Sequence, residues 1–187
     1  MRGRHGFAVA TGVYGARVSR SLLEDAFAHH VWATLRLIDS CLGLSPEQLE
    51  TTVPGTYGSV LDTMRHLVGS DFFYLFVASG ERTSLIDEDH MDLPELRTAM
   101  EDQSRAWSVL LLEVLDPDVM LEEVDVDDGF RKQAPMGIRL AQALHHGTDH
   151  RSQICTALSS FRVEPPAIDV WDFGMADGRV IEIPPTS

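Results

Sequence analysis

Cysteine is scarce in this sequence. The 187 residues include two, Cys41 and Cys155, which form no C-x-x-C pair. This scarcity excludes a disulfide framework of the kind that supports small secreted domains. Each cysteine lies within an apolar, helix-periodic stretch, so we expect both to be small buried residues of a protein in a reducing compartment. The predicted location is therefore cytoplasmic.

Basic residues are also few. Lysine and arginine total 15 against 29 aspartates and glutamates, and the formal net charge is −14. Binding to a nucleic-acid backbone requires clustered positive charge, whereas the basic residues of this chain are scattered. We therefore expect no nucleic-acid partner.

Long apolar runs and nucleotide-binding loops are missing too. No run approaches the roughly 20 apolar residues that span a membrane, so we expect no membrane partner. The sequence contains no P-loop and no G-x-G-x-x-G turn. Residues 1–18 carry positive charges, but glycines interrupt their apolar pieces, so they lack the continuous apolar core of a signal peptide.

The composition is that of a single globular domain. Hydrophobic residues make up 44% of the sequence and charged residues 24%, and a chain of this length can bury a sizeable core. We predict a flexible N-terminal extension over residues 1–18, one domain over residues 19–174 and a weakly ordered tail over residues 175–187.

Four long stretches have the periodicity of amphipathic helices. Ser21, Ser59 and Asp92 stand where helix caps are expected, and the fourth helix should span about residues 137–161. The apolar stripe predicted for the first helix repeats every three or four residues: Leu23, Phe27, Val31, Leu35, Ile38 and Leu42. A small β-hairpin is predicted over residues 120–133, before the last helix. The pattern predicts an all-α fold, a four-helix bundle with a long crossover and one hairpin.

Three histidines are candidates for a metal site. His146 and His150 share one face of the fourth helix, and two neutral imidazoles one turn apart can hold one ion. A third candidate, His66, lies in the second long helix. A helical glycine costs about 1 kcal/mol relative to alanine, so Gly69 and Gly147 suggest that something approaches the backbone closely beside these histidines. The alternative is tight helix packing in which hydrogen bonds satisfy the histidines.

Two segments, SVLDTMRHLVGSD and HHGTDHRSQI, together resemble the motifs of the DinB-like and YfiT-like metal-binding four-helix bundles. The TYGS lead-in to the second long helix and the late DVWDF segment resemble family features as well. In that family the histidine of the first motif and both histidines of an H-x-x-x-H-R-x-Q pattern bind a divalent metal. The resemblance therefore implies His66, His146 and His150 as the metal ligands.

The second motif matches the family pattern only in part. Arg151 and Gln153 fit it, whereas His145 stands where asparagine is usual and Asp149 where an aromatic residue is common. A histidine and a carboxylate one turn apart can also bind zinc, so His145 with Asp149 is a rival pair. His30 lies near the apolar side of the first helix, where we expect a core histidine and not a fourth ligand.

The resemblance implies a metal-dependent transferase that activates a low-molecular-weight thiol, because relatives include mycothiol- and bacillithiol-dependent enzymes. It also favours a homodimer. A divalent ion can instead lower the pKa of bound water to about 7, so a hydrolase of ester-like substrates is an alternative. A non-catalytic metal-binding protein of the stress response is a third. Imidazole ligands suit zinc or nickel first, with iron or copper possible.

No catalytic side chain is assigned from the sequence. A hydrolase needs a general base, and the acids near the histidines in sequence are Asp62, Asp71 and Asp149. The acids of the predicted hairpin lack the D-x-D-x-D-G register of a calcium loop, so we interpret them as a solvated turn: Glu122, Glu123, Asp125, Asp127 and Asp128.

Overall fold

The computed structural model describes residues 20–124 and 129–185. The predicted extension over residues 1–18 lies outside this range, as do three of the hairpin acids, Asp125, Asp127 and Asp128. The helices and strands, in chain order, are α1 Leu22–Cys41, α2 Pro46–Leu49, α3 Val60–Ala78, α4 Leu93–Leu111, β1 Met120–Val124, β2 Arg131–Pro135, α5 Met136–Ser160 and α6 Val170–Ala176, with a short 3-10 turn Glu88–His90 before α4.

The long helices begin where the capping residues predict. Ser21, Ser59 and Asp92 each accept a hydrogen bond from a backbone N–H three residues on, and the side chain at that position bonds back to the cap backbone. Such a cap stabilises a helix by about 1 kcal/mol. The fourth long helix, α5, lacks a side-chain cap and starts directly from the hairpin at Pro135.

Four long helices form the predicted bundle. Helix α1 packs against α4 and α5, and α3 packs against the same two helices. Helices α1 and α3, which follow one another among the long helices, therefore lie across the bundle from each other, in agreement with the predicted crossover. Within the described ranges, no helix has the length and apolar character needed to cross a membrane.

The buried arc of α1 is wider than the predicted stripe. Phe27, Val31 and Ile38 are buried as expected, but Leu42 is 47% exposed at the helix end, and Leu37 and Cys41 are fully buried instead. The single-stripe prediction was wrong because α1 has two neighbours, α4 and α5, and so buries two faces. Its buried face continues into one core, whose largest side chains include Trp107, Phe27, Met64, Leu96, Met100 and Ile154.

The predicted hairpin is present before α5. Its register pairs Met120 with Pro135, Leu121 with Ala134, Glu122 with Gln133, Glu123 with Lys132 and Val124 with Arg131. Glu122 forms an ion pair with Arg131 and accepts a hydrogen bond from Gln133 at 2.7 Å, and Glu123 pairs with Arg139 of α5. Glu122 therefore stabilises the pairing of the two strands, and Glu123 connects the hairpin to α5.

A short helix that the sequence analysis did not predict follows α5. Helix α6 lies on α1, with Phe173 buried 5.6 Å from the Trp32 ring. His29 contacts the carbonyl of Ile168 at 2.9 Å, just before α6. The predicted domain boundary at residue 174 falls inside this helix, and the order of the tail stays a prediction.

Both cysteines are free. Burial raises the pKa of the Cys41 thiol to about 12 and also raises that of Cys155. Neither thiol therefore ionises readily near neutral pH. Cys41 is buried as predicted, whereas Cys155 is half-buried against the core.

Candidate metal centre

The bundle brings the three predicted histidines together. His66 projects from α3, and His146 and His150 project from α5, the helix with which α3 has its most extensive contact. The Nε2 atom of His146 lies 3.1 Å from Nε2 of His66 and 3.1 Å from Nε2 of His150. One ring nitrogen from each residue falls within 4.8 Å of the others, so this three-histidine cluster could hold a metal ion.

The spacing of these nitrogens fits a shared ion. Two nitrogens bound to one tetrahedral zinc at about 2.0–2.1 Å lie about 3.3 Å apart, close to the 3.1 Å separations of His146 from His66 and from His150. Three protein ligands leave room for a further ligand, as in catalytic zinc sites, whereas structural sites are usually closed by four. The donor set and its spacing are therefore compatible with a reactive metal centre.

Gln153 determines which nitrogen of His150 faces the cluster. The backbone N–H of Tyr57 donates to the side-chain oxygen of Gln153 at 2.9 Å, which identifies that atom as an acceptor. The same oxygen lies 3.1 Å from Nδ1 of His150, so Nδ1–H donates to it. In the neutral imidazole the lone pair is then on Nε2 and faces the other two histidines.

Two aromatic rings hold the remaining histidines. Tyr57, from the loop before α3, stacks on His66 with ring centroids 4.0 Å apart and planes 6° from parallel. Tyr74 of α3 meets His146 edge to face at 5.4 Å and accepts a hydrogen bond from Gln142 at 3.3 Å. These contacts restrict ring rotation, so the three nitrogens are kept near one point.

The electrostatics of the cluster favour neutral imidazoles. Partial burial and the neighbouring His150 and His66 lower the pKa of His146 to about 4. Burial, and secondarily His150, also lowers the pKa of His66 below its usual 6.5. Neutral rings carry the lone pairs that bind a metal, so the cluster is ready for ligation near neutral pH.

The rival pair does not join the cluster. His145 and Asp149 are both exposed on α5, and neither belongs to the group formed by His66 and its two partners. Their position follows from helix geometry, because His145 points about 100° away from its neighbour His146.

Residues 19–181 match the DinB family. The chain belongs to the DinB family. The sequence matches no curated protein. Membership in the DinB family agrees with the observed bundle and with a cluster that could bind a metal ion.

The DinB-family motif residue Arg151 turns away from the cluster into a buried polar network. Its Nη1 lies 3.1 Å from Nδ1 of His30 on α1, and Nε2 of His30 lies 2.9 Å from a carboxylate oxygen of Asp71 on α3. Trp107 of α4 donates to the other oxygen of Asp71 at 2.9 Å. Because a guanidinium only donates, His30 must accept at Nδ1 and donate from Nε2. All four long helices meet at this network.

The network explains Gly147. A Cβ atom at this position would lie 2.3 Å from Cε1 of His30 and 2.9 Å from Nη1 of Arg151. The close approach predicted beside the histidine pair is therefore made by His30, which is 1% exposed. The prediction that His30 is a core histidine is confirmed, and His30 does not belong to the three-histidine cluster. Burial lowers the pKa of Arg151 to about 10, with Asp71 acting in the opposite direction.

A polar cavity of about 750 Å³ adjoins the cluster at His66. It is lined by residues of the loop before α3, of α3 itself and of the 3-10 turn: Tyr57, Gly58, Asp62, Arg65, His66, Glu88 and Asp89. The cavity provides a route by which a small molecule can reach His66.

Sequence reasoning missed Tyr57 and Glu88 as site residues. Tyr57 lay in a segment that resembled the family, but nothing local indicated that it stacks on His66. Gly69 did carry a signal for Glu88, because a Cβ at Gly69 would lie 2.2 Å from the Glu88 carboxyl carbon. The glycine predicted a close approach, but its partner comes from a distant loop.

Proposed function

We propose that this protein is a metal-dependent transferase that activates a small thiol at His66, His146 and His150. The observation that carries the proposal is the convergence of three Nε2 atoms with 3.1 Å separations between His146 and each of the other two. Zinc or nickel is the expected ion, because imidazoles prefer late first-row metals. The proposal includes a homodimer, as the family resemblance implies, and the cytoplasmic location that the cysteine usage predicts.

A bound divalent ion would supply a positive charge that lowers the pKa of a thiol. The protein's own residues orient and protect the reaction site. Gln153 keeps the proton of His150 on Nδ1, and Tyr57 fixes the ring plane of His66. The thiol loses its S–H proton to solvent, its sulfur bonds to an electrophilic carbon, and the leaving group departs from that carbon.

The carboxylates considered from the sequence give little support to the hydrolase alternative. Asp62 accepts hydrogen bonds from the backbone and hydroxyl of Ser59, Asp71 is held in the buried network, and Asp149 is exposed outside the cavity. None of these three is placed as an unpartnered base beside His66, and a metal hydrolase normally requires such a base. Glu88, which lines the same cavity as His66, is the remaining candidate base, so the turnover assays decide between thiol activation and water activation.

Metal analysis followed by turnover assays tests the proposal. Protein purified without added metal would be analysed for bound ions, then assayed with 1-chloro-2,4-dinitrobenzene and a panel of thiols, and separately with nitrophenyl esters. We expect turnover that depends on thiol and is lost after chelation. Thiol-independent ester cleavage would instead support the hydrolase, and bound metal without turnover in either panel would support the non-catalytic alternative.

A further inference from the structure

We infer that Glu88 is a specificity-determining residue and that the cavity beside His66 selects ligands with a cationic group, such as a primary ammonium. This inference deepens the proposed function, on which it rests for the thiol end of the ligand. The cavity is lined by His66 on α3 and by Glu88 on the 3-10 turn. A ligand bound in this cavity therefore has both His66 of the three-histidine cluster and the Glu88 carboxylate in its walls.

The position of Glu88 depends on a glycine of α3. A Cβ at Gly69 would lie 2.2 Å from both the carboxyl carbon and Oε1 of Glu88, and 2.6 Å from its Cγ. The end of the Glu88 side chain therefore lies directly on the helix backbone, three residues after His66. Any other residue at position 69 would displace this carboxylate, so the observed position of Glu88 requires a glycine at position 69.

The Glu88 carboxylate has no polar partner within residues 20–124 and 129–185. No hydrogen bond or ion pair engages it there, although it is half-buried. The carboxylate is therefore a negative charge in the cavity wall that these residues leave unpaired. A ligand that brings a positive charge or hydrogen-bond donors would form charge-assisted hydrogen bonds with it.

The other charges of the cavity do not compensate Glu88. Arg65 is the one basic side chain in the lining; its Nε donates to the carbonyl of Met91 at 2.9 Å, and its Nη1 lies 4.0 Å from Asp62. The positive charge of Arg65 is thus balanced by the carboxylate of Asp62 and not by that of Glu88. Asp89 adds a further negative charge, so the cavity as a whole favours a cation over an anion.

Glu88 is placed to contact a ligand and not to join the metal shell. Its carboxylate does not belong to the group whose nitrogens lie within 4.8 Å of one another. Its carboxyl end lies against Gly69, three residues after His66 on α3, and both side chains line the same cavity. The ligand class that fits is a compact molecule with a thiol at one end and an ammonium group at the other.

Matched thiols on the cobalt-loaded protein test this selectivity. Cysteamine and 3-mercaptopropionate have the same chain length but end in an ammonium and a carboxylate, and 6-aminohexanethiol and 6-mercaptohexanoate form a longer pair. Binding is followed by sulfur-to-cobalt charge-transfer absorption. Because the thiols differ intrinsically, the measured quantity is the affinity ratio within a pair, compared between wild type and Glu88→Gln. We expect the preference for the aminothiol to fall by about tenfold in the variant.

Two further variants separate charge from position. Gly69→Ala keeps the Glu88 charge but places a methyl group where the carboxylate lies, so it should reduce the preference in the same direction. Glu113→Gln removes a carboxylate that pairs with Arg82 far from the cavity and should leave the ratio unchanged. Glu88→Gln should retain its cobalt; loss of the ion would make Glu88 a ligand and overturn the inference.

A second experiment does not depend on thiol chemistry. Hexylamine and hexanoate are titrated into the metal-free protein while backbone amide NMR signals are recorded. We expect hexylamine to shift the signals of residues 88 and 89, hexanoate to leave them in place, and Glu88→Gln to abolish the response. These shifts without cobalt absorption from any thiol would sustain the inference and refute thiol activation. Cobalt absorption without charge preference or amine shifts would refute the inference and leave the proposed function standing.

Discussion

Gln153 and His150 form a hydrogen bond that leaves the lone pair of His150 on Nε2, the nitrogen that faces His66 and His146. The Gln153 oxygen lies 3.1 Å from Nδ1 of His150 and also accepts the Tyr57 backbone N–H at 2.9 Å. The same amide therefore ties the loop that carries Tyr57 to the helix that carries two histidines. A residue that hydrogen-bonds to a metal-binding histidine fixes the tautomer and the orientation of the imidazole ring, and so affects the affinity for the metal.

Replacing Gln153 with alanine should weaken metal binding about 10–100-fold without removing a ligand. The reason is that Nδ1 of His150 loses its acceptor and the ring can turn or exchange its proton. Competition with a chromophoric chelator measures the affinity. Gln133→Ala, on the hairpin, is the matched control and should bind metal as wild type does. Equal affinities for wild type and Gln153→Ala would show that this hydrogen bond does not orient His150.

Alanine substitution of the three clustered histidines should separate them from their neighbour on α5. His66→Ala, His146→Ala and His150→Ala should each lose most of the metal, whereas His145→Ala should keep it, because His145 is exposed outside the cluster. Metal content per protein is measured by elemental analysis after circular dichroism shows that each variant is folded. Metal loss in His145→Ala with retention in His146→Ala would reverse the ligand assignment.

The metal-free protein should lose stability in mild acid. The pKa of His146 falls from its usual 6.5 to about 4 on folding, and that of His66 is lowered too. Between pH 6.5 and 4 the unfolded chain binds protons that the folded cluster rejects, so the free energy of unfolding decreases as pH falls through this window and is unaffected by these groups above it.

Urea denaturation of chelator-treated protein at several pH values checks this expectation. Other carboxylates titrate in the same range, so the useful quantity is the difference between wild type and His146→Asn. The variant should lose less stability than wild type between pH 7.5 and 5. Parallel losses in the two proteins would mean that His146 does not have a lowered pKa.

The buried network should matter far more to stability than a surface ion pair. Asp71→Ala leaves the Trp107 N–H and the His30 Nε2–H without their shared acceptor and removes the buried negative charge near Arg151, and breaking a buried charged network in this way costs about 3–5 kcal/mol. Asp39→Ala removes an exposed partner of Arg97 and should cost less than about 1 kcal/mol. Urea denaturation compares the two. Similar small losses would show that the network is not a principal support of the bundle.

Sequence patterns predicted the fold correctly where the contacts that determine it join residues close together in the sequence. The capping boxes at Ser21, Ser59 and Asp92 involve residues three positions apart, and the residues paired between β1 and β2 are 7 to 15 positions apart. Helical spacing alone placed His146 and His150 on one face. His66 became a candidate through its neighbour Gly69 and then through motif resemblance, but nothing local predicts its contact with His146, 80 positions away.

Contacts between distant segments could not be read in the same way. His30 looked like a core residue, but its bonds to Asp71 and Arg151 join three helices whose relative rotation no single helix determines. Glu88 lay in a polar loop, and its approach to Gly69 depends on how that loop folds back on α3. Tertiary packing determines the positions of these side chains, and hydrophobic periodicity gives no information about such packing.

Anomalous X-ray scattering from crystals soaked with zinc or cobalt tests the central claim most directly, since it locates the ion without reference to activity. We predict a single strong peak within bonding distance, about 2.0–2.1 Å for zinc, of the Nε2 atoms of His66, His146 and His150. Strong anomalous density on the hairpin acids Glu122 and Glu123, with none beside His66, would contradict the three-histidine metal centre.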